Sequence, residues 1–324
     1  PSSGQGLYNG SAGSAVYNSA SIENKGFEVS MTYRKTEGKF KFNLTTNASQ
    51  VKNKVIALGD NVLPINGYPM SAYFGDRPTI TQPGLPVGAF WGYKVIGIYQ
   101  TDAQVAAGPE KNTSKKAGDL IFADLTNDGK VDNNDKTMIG SPFPKLEYSL
   151  NFSGTYKDFD FTMYLVGSYG NQIFNLTKYA NYFQLDFAKT SDALSAWTPQ
   201  NTNTSNPRLS VNNRTGGNAL PSSYYIESGS YARIKNVQVG YSFLKEKFKK
   251  MPFNRVRAYA GVQNLLTFTN YSGYDPELGS AAGILPGQGT DGRGTGYNVL
   301  FNRGVDVRAY PRDRTFIIGI QASF

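Results

Sequence analysis

The sequence contains no cysteine and no histidine. The first absence excludes a disulfide framework, a thiolate metal site and a cysteine nucleophile. The second removes the commonest general base and the imidazole of a Ser-His-Asp arrangement. An enzyme is therefore not expected. Charged residues make up only 18%, and no stretch approaches the roughly 18 consecutive apolar residues that a transmembrane helix needs. A membrane strand needs only about 9–11 residues of alternating polarity, so a mean hydropathy of −0.42 leaves a membrane protein open. An initiator Met and a signal peptide are also missing. The opening Pro1-Ser2-Ser3-Gly4 reads as the middle of a loop, and a fragment or processed chain is expected.

Gly (35), Tyr (22) and Phe (20) are abundant, and the net charge is +9. The basic residues are scattered, Lys245-Glu246-Lys247-Phe248-Lys249-Lys250 being their one dense run. No nucleic-acid motif accompanies them, so nucleic acid is not an expected partner. A basic outer surface suits anionic lipopolysaccharide and lipid headgroups.

The organising signal is period-two alternation. From Leu146 to Tyr156 every even position but Gly154 is apolar or aromatic and every odd one is polar. Phe159, Phe161, Met163 and Leu165 repeat the pattern after only Lys157-Asp158, the spacing of a hairpin. The alternation recurs at Phe27–Tyr33, Phe40–Leu44, Val237–Phe243, Val256–Val262 and Phe316–Phe324. It predicts seven strands, near 26–35, 38–50, 145–157, 158–170, 230–244, 254–268 and 314–324, each with an apolar face directed to lipid.

A soluble sandwich would also alternate, but the connections differ. They run short (35–38), long (about 51–144), short (157–158), long (about 171–229), short (245–253) and long (about 269–313). Structureless loops beyond about 12–15 residues are uncommon in compact soluble domains. Short turns at one end and long loops at the other match a bacterial outer-membrane barrel with periplasmic turns and extracellular loops. The expected fold is all-β: residues 1–324 form the C-terminal strands of a large antiparallel transmembrane β-barrel, a multi-pass protein of the outer membrane. A terminal Phe324 in phase with four preceding apolar positions fits the signal such barrels present for assembly. Within the loops, residues 88–99 read as extended, Leu176–Trp197 as a short helix ending before Pro199, and 279–298 as Gly-rich and flexible.

Particular strings carry a family resemblance. Ser230-Tyr231-Ala232-Arg233-Ile234-Lys235-Asn236-Val237 resembles the penultimate-hairpin signature of SusC/RagA-type TonB-dependent transporters of Bacteroidetes. Val262-Gln263-Asn264-Leu265-Leu266-Thr267 with Gly273-Tyr274-Asp275-Pro276-Glu277, Asn24-Lys25-Gly26-Phe27-Glu28, and Tyr310-Pro311-Arg312-Asp313-Arg314 through Phe324 are similar to other segments of that family. The resemblance implies a plugged barrel of the ~22-stranded class, capped by a SusD-like lipoprotein and driven by TonB–ExbB–ExbD. The plug and the TonB-contacting segment are not among these residues.

Inside the first long loop, 124–135 has the spacing of an EF-hand or dockerin-like calcium loop. Asp124, Thr126, Asp128, Asp132 and Asp135 occupy positions 1, 3, 5, 9 and 12, with Gly129 at 6 and the Lys130 carbonyl at 7. Asp at 12 and Thr at 3 depart from a full site. One structural Ca2+ is expected, and the competing reading is an Asx-rich turn capping its own backbone. Loop aromatics (Trp91, Tyr93, Tyr179, Tyr182, Trp197, Tyr224, Tyr225, Tyr271 and Tyr274) are candidates for sugar stacking or partner anchoring, against local packing or a membrane-boundary girdle.

The leading functional expectation is active import of a glycan or peptide fragment too large for porins. The alternative is a SusC-like barrel serving as a structural subunit of a larger envelope assembly. A soluble calcium-dependent carbohydrate-binding protein is disfavoured by the loop asymmetry and the terminal strand.

Overall fold

In the computed structural model, residues 2–4, 14–16, 20–59, 62–67, 77–110, 114–183, 190–209, 217–248, 252–278, 299–306 and 309–324 are described. The main element is a seven-stranded sheet, antiparallel throughout, of β1 (Ala20–Lys35), β2 (Phe40–Leu58), β3 (Leu146–Tyr156), β4 (Phe159–Tyr169), β5 (Tyr231–Leu244), β6 (Arg255–Thr269) and β7 (Thr315–Ser323). Strands adjacent in sequence are adjacent in space, from β1 at one edge to β7 at the other. All seven expected strands form, and the short turns lie together at one end. Gly38 (φ 87) and Lys157 (φ 54) take the left-handed backbone that two of these turns use.

The register turns local alternation into two continuous faces. Tyr33, Leu44, Phe152, Met163, Val237, Val262 and Phe316 pair in one row across all seven strands. One residue along, Thr32, Thr45, Asn151, Tyr164, Asn236, Gln263 and Thr315 form a polar row on the opposite face. A slip of one residue in any strand would exchange its faces. The apolar face is open on the interior strands as well as at the sheet's edges: Phe159 is 52% exposed and Val239 46%. Phe161, Met163 and Leu165 are half-buried and belong to neither buried cluster.

Both apolar clusters lie in the long connections. Phe90, Phe174, Leu176, Tyr179, Tyr225 and Val305 build one, and Tyr93, Leu120 and Phe122 the other. Short strands frame them. Ile65–Asn66, Thr79–Thr81, Ala89–Tyr93 and Lys136–Gly140 make a four-stranded sheet, Val95–Ile98 pairs with Leu120–Phe122, and Gln172–Asn175 lies between Ile226–Ser228 and Val305–Asp306. The expected extended piece at 88–99 is thus two short strands.

Two boundaries differ from expectation. β1 and β2 pair beyond 26 and 50, out to Ala20 and Leu58, because the following loop holds them. Val55 N–H donates to the Leu85 carbonyl at 2.8 Å, and Asn53 Oδ1 accepts from Val87 N–H at 2.8 Å. The helix expected over 176–197 covers only Leu176–Phe183, with a 3-10 turn at Ser191–Ser195. The Gly-rich stretch 279–298 lies outside the described residues. Among the described residues no helix is long and apolar enough to cross a membrane.

Candidate functional site

The polar face carries the chemistry of the sheet. Near the long-loop end, Glu28, Asn47, Ser49, Glu147, Tyr164 and Lys235 border a groove of about 400 Å³. Asn47 Nδ2 donates to Ser149 Oγ at 3.1 Å across its floor.

Beside this groove, the segment after β6 folds back onto β5. Arg233 Nη2 donates to Asp275 Oδ1 at 2.6 Å, Nη1 to Glu277 Oε2 at 2.8 Å and Nε to Thr267 Oγ1 at 2.8 Å. Lys235 Nζ donates to both Glu277 oxygens at 2.7 Å, and Arg312 approaches Glu277 at 3.4 Å. The strings around Arg233, Asp275 and Arg312 therefore meet in one ionic clasp. Arg233 and Asp275 are nearly inaccessible, 3% exposed each, which a charged pair tolerates only when its hydrogen bonds are satisfied.

At the short-turn end, Arg257 reaches across β5 to Asp160 on β4 at 2.5 and 2.8 Å. Gly240 lies between them, and a Cβ there would strike both side chains.

In the loops, Asp119 is fully buried and held by Arg208 in a bidentate pair (2.8 and 3.0 Å) and by Asn218 Nδ2 (2.8 Å). The pair ties the 197–220 segment to the 95–122 hairpin. Glu110 and Lys115 form a second buried pair at 2.6 Å, with Tyr99 Oη donating to Glu110 at 3.2 Å. Burial pushes the Glu110 carboxyl up and the Lys115 ammonium down from their ordinary values, and each opposes the other's shift by attraction. Burial and the Glu110 charge likewise raise the Tyr99 phenol. Tyr271 Oη donates to the buried Asp306, and desolvation raises the Tyr271 phenol.

The acidic loop is folded on its own backbone. Asp124 accepts from Gly129 N–H (2.9 Å) and Asp128 N–H (3.3 Å), Asp128 from Lys130 N–H (2.9 Å), and Asp132 from Asn134 N–H (2.7 Å). Asp135, 1% exposed, receives Leu125 N–H at 2.8 Å and Thr126 N–H at 3.0 Å on one oxygen and Asp132 N–H at 2.8 Å on the other. These donors hold its carboxyl below the usual range. Among the described residues no group of three or more acidic side chains converges as a metal shell. Asp124, Asp128, Asp132 and Asp135 thus accept backbone N–H groups of their own loop, Thr126 Oγ1 donates to Asp135 Oδ1 at 3.1 Å, and Lys130 takes part through its backbone N–H.

Most of the candidate aromatics pack locally. Tyr93, Tyr179, Trp197, Tyr225 and Tyr271 are buried, Trp91 and Tyr224 half-buried, and Tyr274 is 70% exposed. Tyr182 has no described side chain. The ionic clasp and the Asp119 junction were not singled out from sequence as sites. Their partners lie 42 and 89 residues apart, and no spacing rule links them.

A two-faced antiparallel sheet with every long connection at one end defines the class, a segment of barrel wall. Relatives narrow it further. No protein-family model matches the chain. TonB-dependent receptor P3 of Formosa agariphila is 33% identical over 317 residues, covering 96% of this chain and 30% of the receptor. TonB-dependent receptor SusC of Bacteroides thetaiotaomicron is 25% identical over 324 residues, covering 95% and 27%. The RagAB peptide transporter structure superposes with a TM-score of 0.69 at 20% identity, over 99% of this chain and 31% of that one. Sequence and fold together match the chain to part of the SusC/RagA-type TonB-dependent receptors, as its motifs imply. It spans about 30% of the length of the first such relative. These relatives are named as receptors and transporters, not enzymes.

Proposed function

We propose that the chain is the C-terminal barrel wall of an outer-membrane importer that takes up glycan or peptide fragments. Its short turns face the periplasm and its long loops the exterior. A SusD-like surface lipoprotein covers the loops, TonB–ExbB–ExbD supplies energy through segments outside these residues, and lipid with lipopolysaccharide surrounds the apolar face. The carrying observation is the pair of seven-strand rows, apolar on one side and polar on the other, with the long loops gathered at one end. The likeness to SusC and RagAB supports import over a generic barrel.

Deletion of the whole gene, followed by uptake of labelled oligosaccharides and oligopeptides with and without an active TonB system, tests this. Loss of uptake of at least one class, restored by the full-length protein only when TonB is active, is expected. Unchanged uptake of every fragment, with a co-purifying envelope assembly lost, would favour the structural-subunit role instead.

We also propose, from its spacing, that the 124–135 loop takes one structural Ca2+. At Asp124, Asp128 and Asp132 an oxygen that accepts one N–H keeps a second lone pair, so these turn contacts and an ion are chemically compatible. Asp135 would offer the oxygen that accepts only the Asp132 N–H. Calorimetric titration of the full-length protein should show one site that Asp128→Asn with Asp132→Asn abolishes. No heat in the unmutated protein would leave the Asx-turn reading alone.

A further inference from the structure

The geometry points to a binding surface for anionic phospholipid headgroups on the outer rim of the short-turn end, formed by Lys35, Lys157 and Lys245. It rests on the proposed reading of the sheet as a membrane wall and adds to it a lipid preference on the short-turn leaflet.

The apolar face ends at these turns in an aromatic belt. Phe40, Tyr156, Phe159 and Tyr241 are neighbours in one register row. Phe159 and Tyr241 pack edge to face at 4.8 Å, and Tyr241 and Phe243 likewise at 4.8 Å. Phe253 meets Phe324 at 4.9 Å beside them. Aromatic rings of this kind mark the depth of the headgroups.

Lys157 and Lys245 lie in the turns just beyond that belt, and Lys35 lies one row inside it on the same side of the sheet. Lys35 pairs with Phe42, which pairs with Gly154 in an apolar-face row. The Lys157 ammonium lies 5.5 Å from the centre of the Tyr156 ring. Lys245 opens the turn after β5, two residues beyond Phe243, and its N–H donates to the Asn254 carbonyl at 3.1 Å, one pair beyond the last ladder pair of β5 and β6. Lys157 and Lys245 are exposed in the turns and Lys35 is exposed on the edge strand β1, and long aliphatic stems let each charge reach the headgroup plane from an apolar face.

Neighbouring charges do not cancel them. Lys247 is committed to Asp158, and Asp160 to Arg257 on the opposite face. Glu37 and Glu246, both exposed, share two of the turns, so the rim keeps a positive balance with Lys39. Strands about 4.8 Å apart space the three lysines at roughly 10–12 Å along the rim. That spacing suits separate headgroups better than one shared pocket. The partner chemistry is a phosphodiester without a compensating ammonium, since a zwitterionic headgroup carries the charge the lysines would repel.

The test uses the full-length protein in detergent, with its thermal midpoint followed as short-chain phosphatidylglycerol, short-chain phosphatidylcholine or inorganic phosphate is added. The midpoint should rise with phosphatidylglycerol alone. Apparent affinity should fall roughly fivefold for each lysine removed, about a hundredfold in Lys35→Gln/Lys157→Gln/Lys245→Gln. The exposed loop variant Lys94→Gln should respond like the unmutated protein. An undiminished response in the triple variant, or an equal response to phosphatidylcholine, overturns the surface. An equal response to inorganic phosphate shows an anion site that is not a lipid site and overturns it as well. Heat-modifiable mobility, monitored throughout, separates these outcomes from a failure of the barrel reading: without it in the unmutated protein, the wall itself is refuted.

Discussion

Arg233 on β5 and Asp275 beyond β6 form a 2.6 Å ion pair with almost no access to solvent. The contact fixes the start of the last long connection against the polar face, while Arg312 brings the end of that connection to the same carboxylates. Removing one member of such a pair strands the other charge in a low-dielectric site. Arg233→Ala in the full-length protein should therefore cost about 3–5 kcal/mol of stability. Arg233→Met combined with Asp275→Leu should recover part of the loss. Thermal unfolding monitored by heat-modifiable mobility reads both, and an unchanged midpoint for the single variant would contradict the clasp.

Gly92 and Gly97 make a matched comparison within the loops. A Cβ at Gly92 would run into the carbonyl of Pro221, which also accepts from Tyr93 N–H at 2.9 Å. Backbone cannot swing aside as a side chain can. Gly92→Ala should destabilise the loop core by about 1–3 kcal/mol, in the manner of an overpacked site. At Gly97 the nearest atom to an added Cβ is Ile121 Cδ1 at 3.7 Å, an ordinary contact, so Gly97→Ala should be nearly neutral. Limited proteolysis of the loops distinguishes the two.

The row through Tyr33, Leu44, Phe152, Met163 and Val237 assigns a face to every strand it crosses. Met163→Arg should cost about 2–4 kcal/mol if its depth is near the middle of the bilayer. Thr162→Arg, one residue along on the polar face, should cost far less. Folded yield in lipid vesicles measures the difference, and equal yields would refute the assignment of faces.

The sheet was legible because alternation is local: each strand's two faces can be read without knowing its partners, and pairing only had to bring matching faces together. The outer parts of β1 and β2 were not. Around Asn24, Lys25, Lys52 and Lys54 polar residues fall on both faces, and what holds the strand there is a distant backbone contact from Leu85. The small loop sheets escaped for a related reason, since strands of two to five residues are too short to show a period. At the acidic loop the sequence displayed the acceptors but not their donors. Asp135, too short to offer the bidentate reach of a Glu at that position, turns back to the N–H groups of Leu125 and Thr126.

That role of Asp135 makes a prediction in pH. Its carboxyl is held below the ordinary aspartate value by backbone donors from Asp132, Thr126 and Leu125. A group whose value is depressed on folding binds its proton more readily in the unfolded loop. Its stabilisation is therefore fully present above the unfolded value near 3.9 and is lost as pH falls through the lower folded one. The 124–135 loop should keep its amide-exchange protection at neutral pH and open progressively below about pH 4. Asp135→Asn removes the charge at every pH and leaves a side chain with only one acceptor oxygen. It should reduce protection already at neutral pH and flatten the acid dependence. Amide exchange at Leu125, Thr126 and Asp132 in the full-length protein gives the readout. An acid transition that persists unchanged in Asp135→Asn would assign it to another carboxylate, and the capping role would be withdrawn.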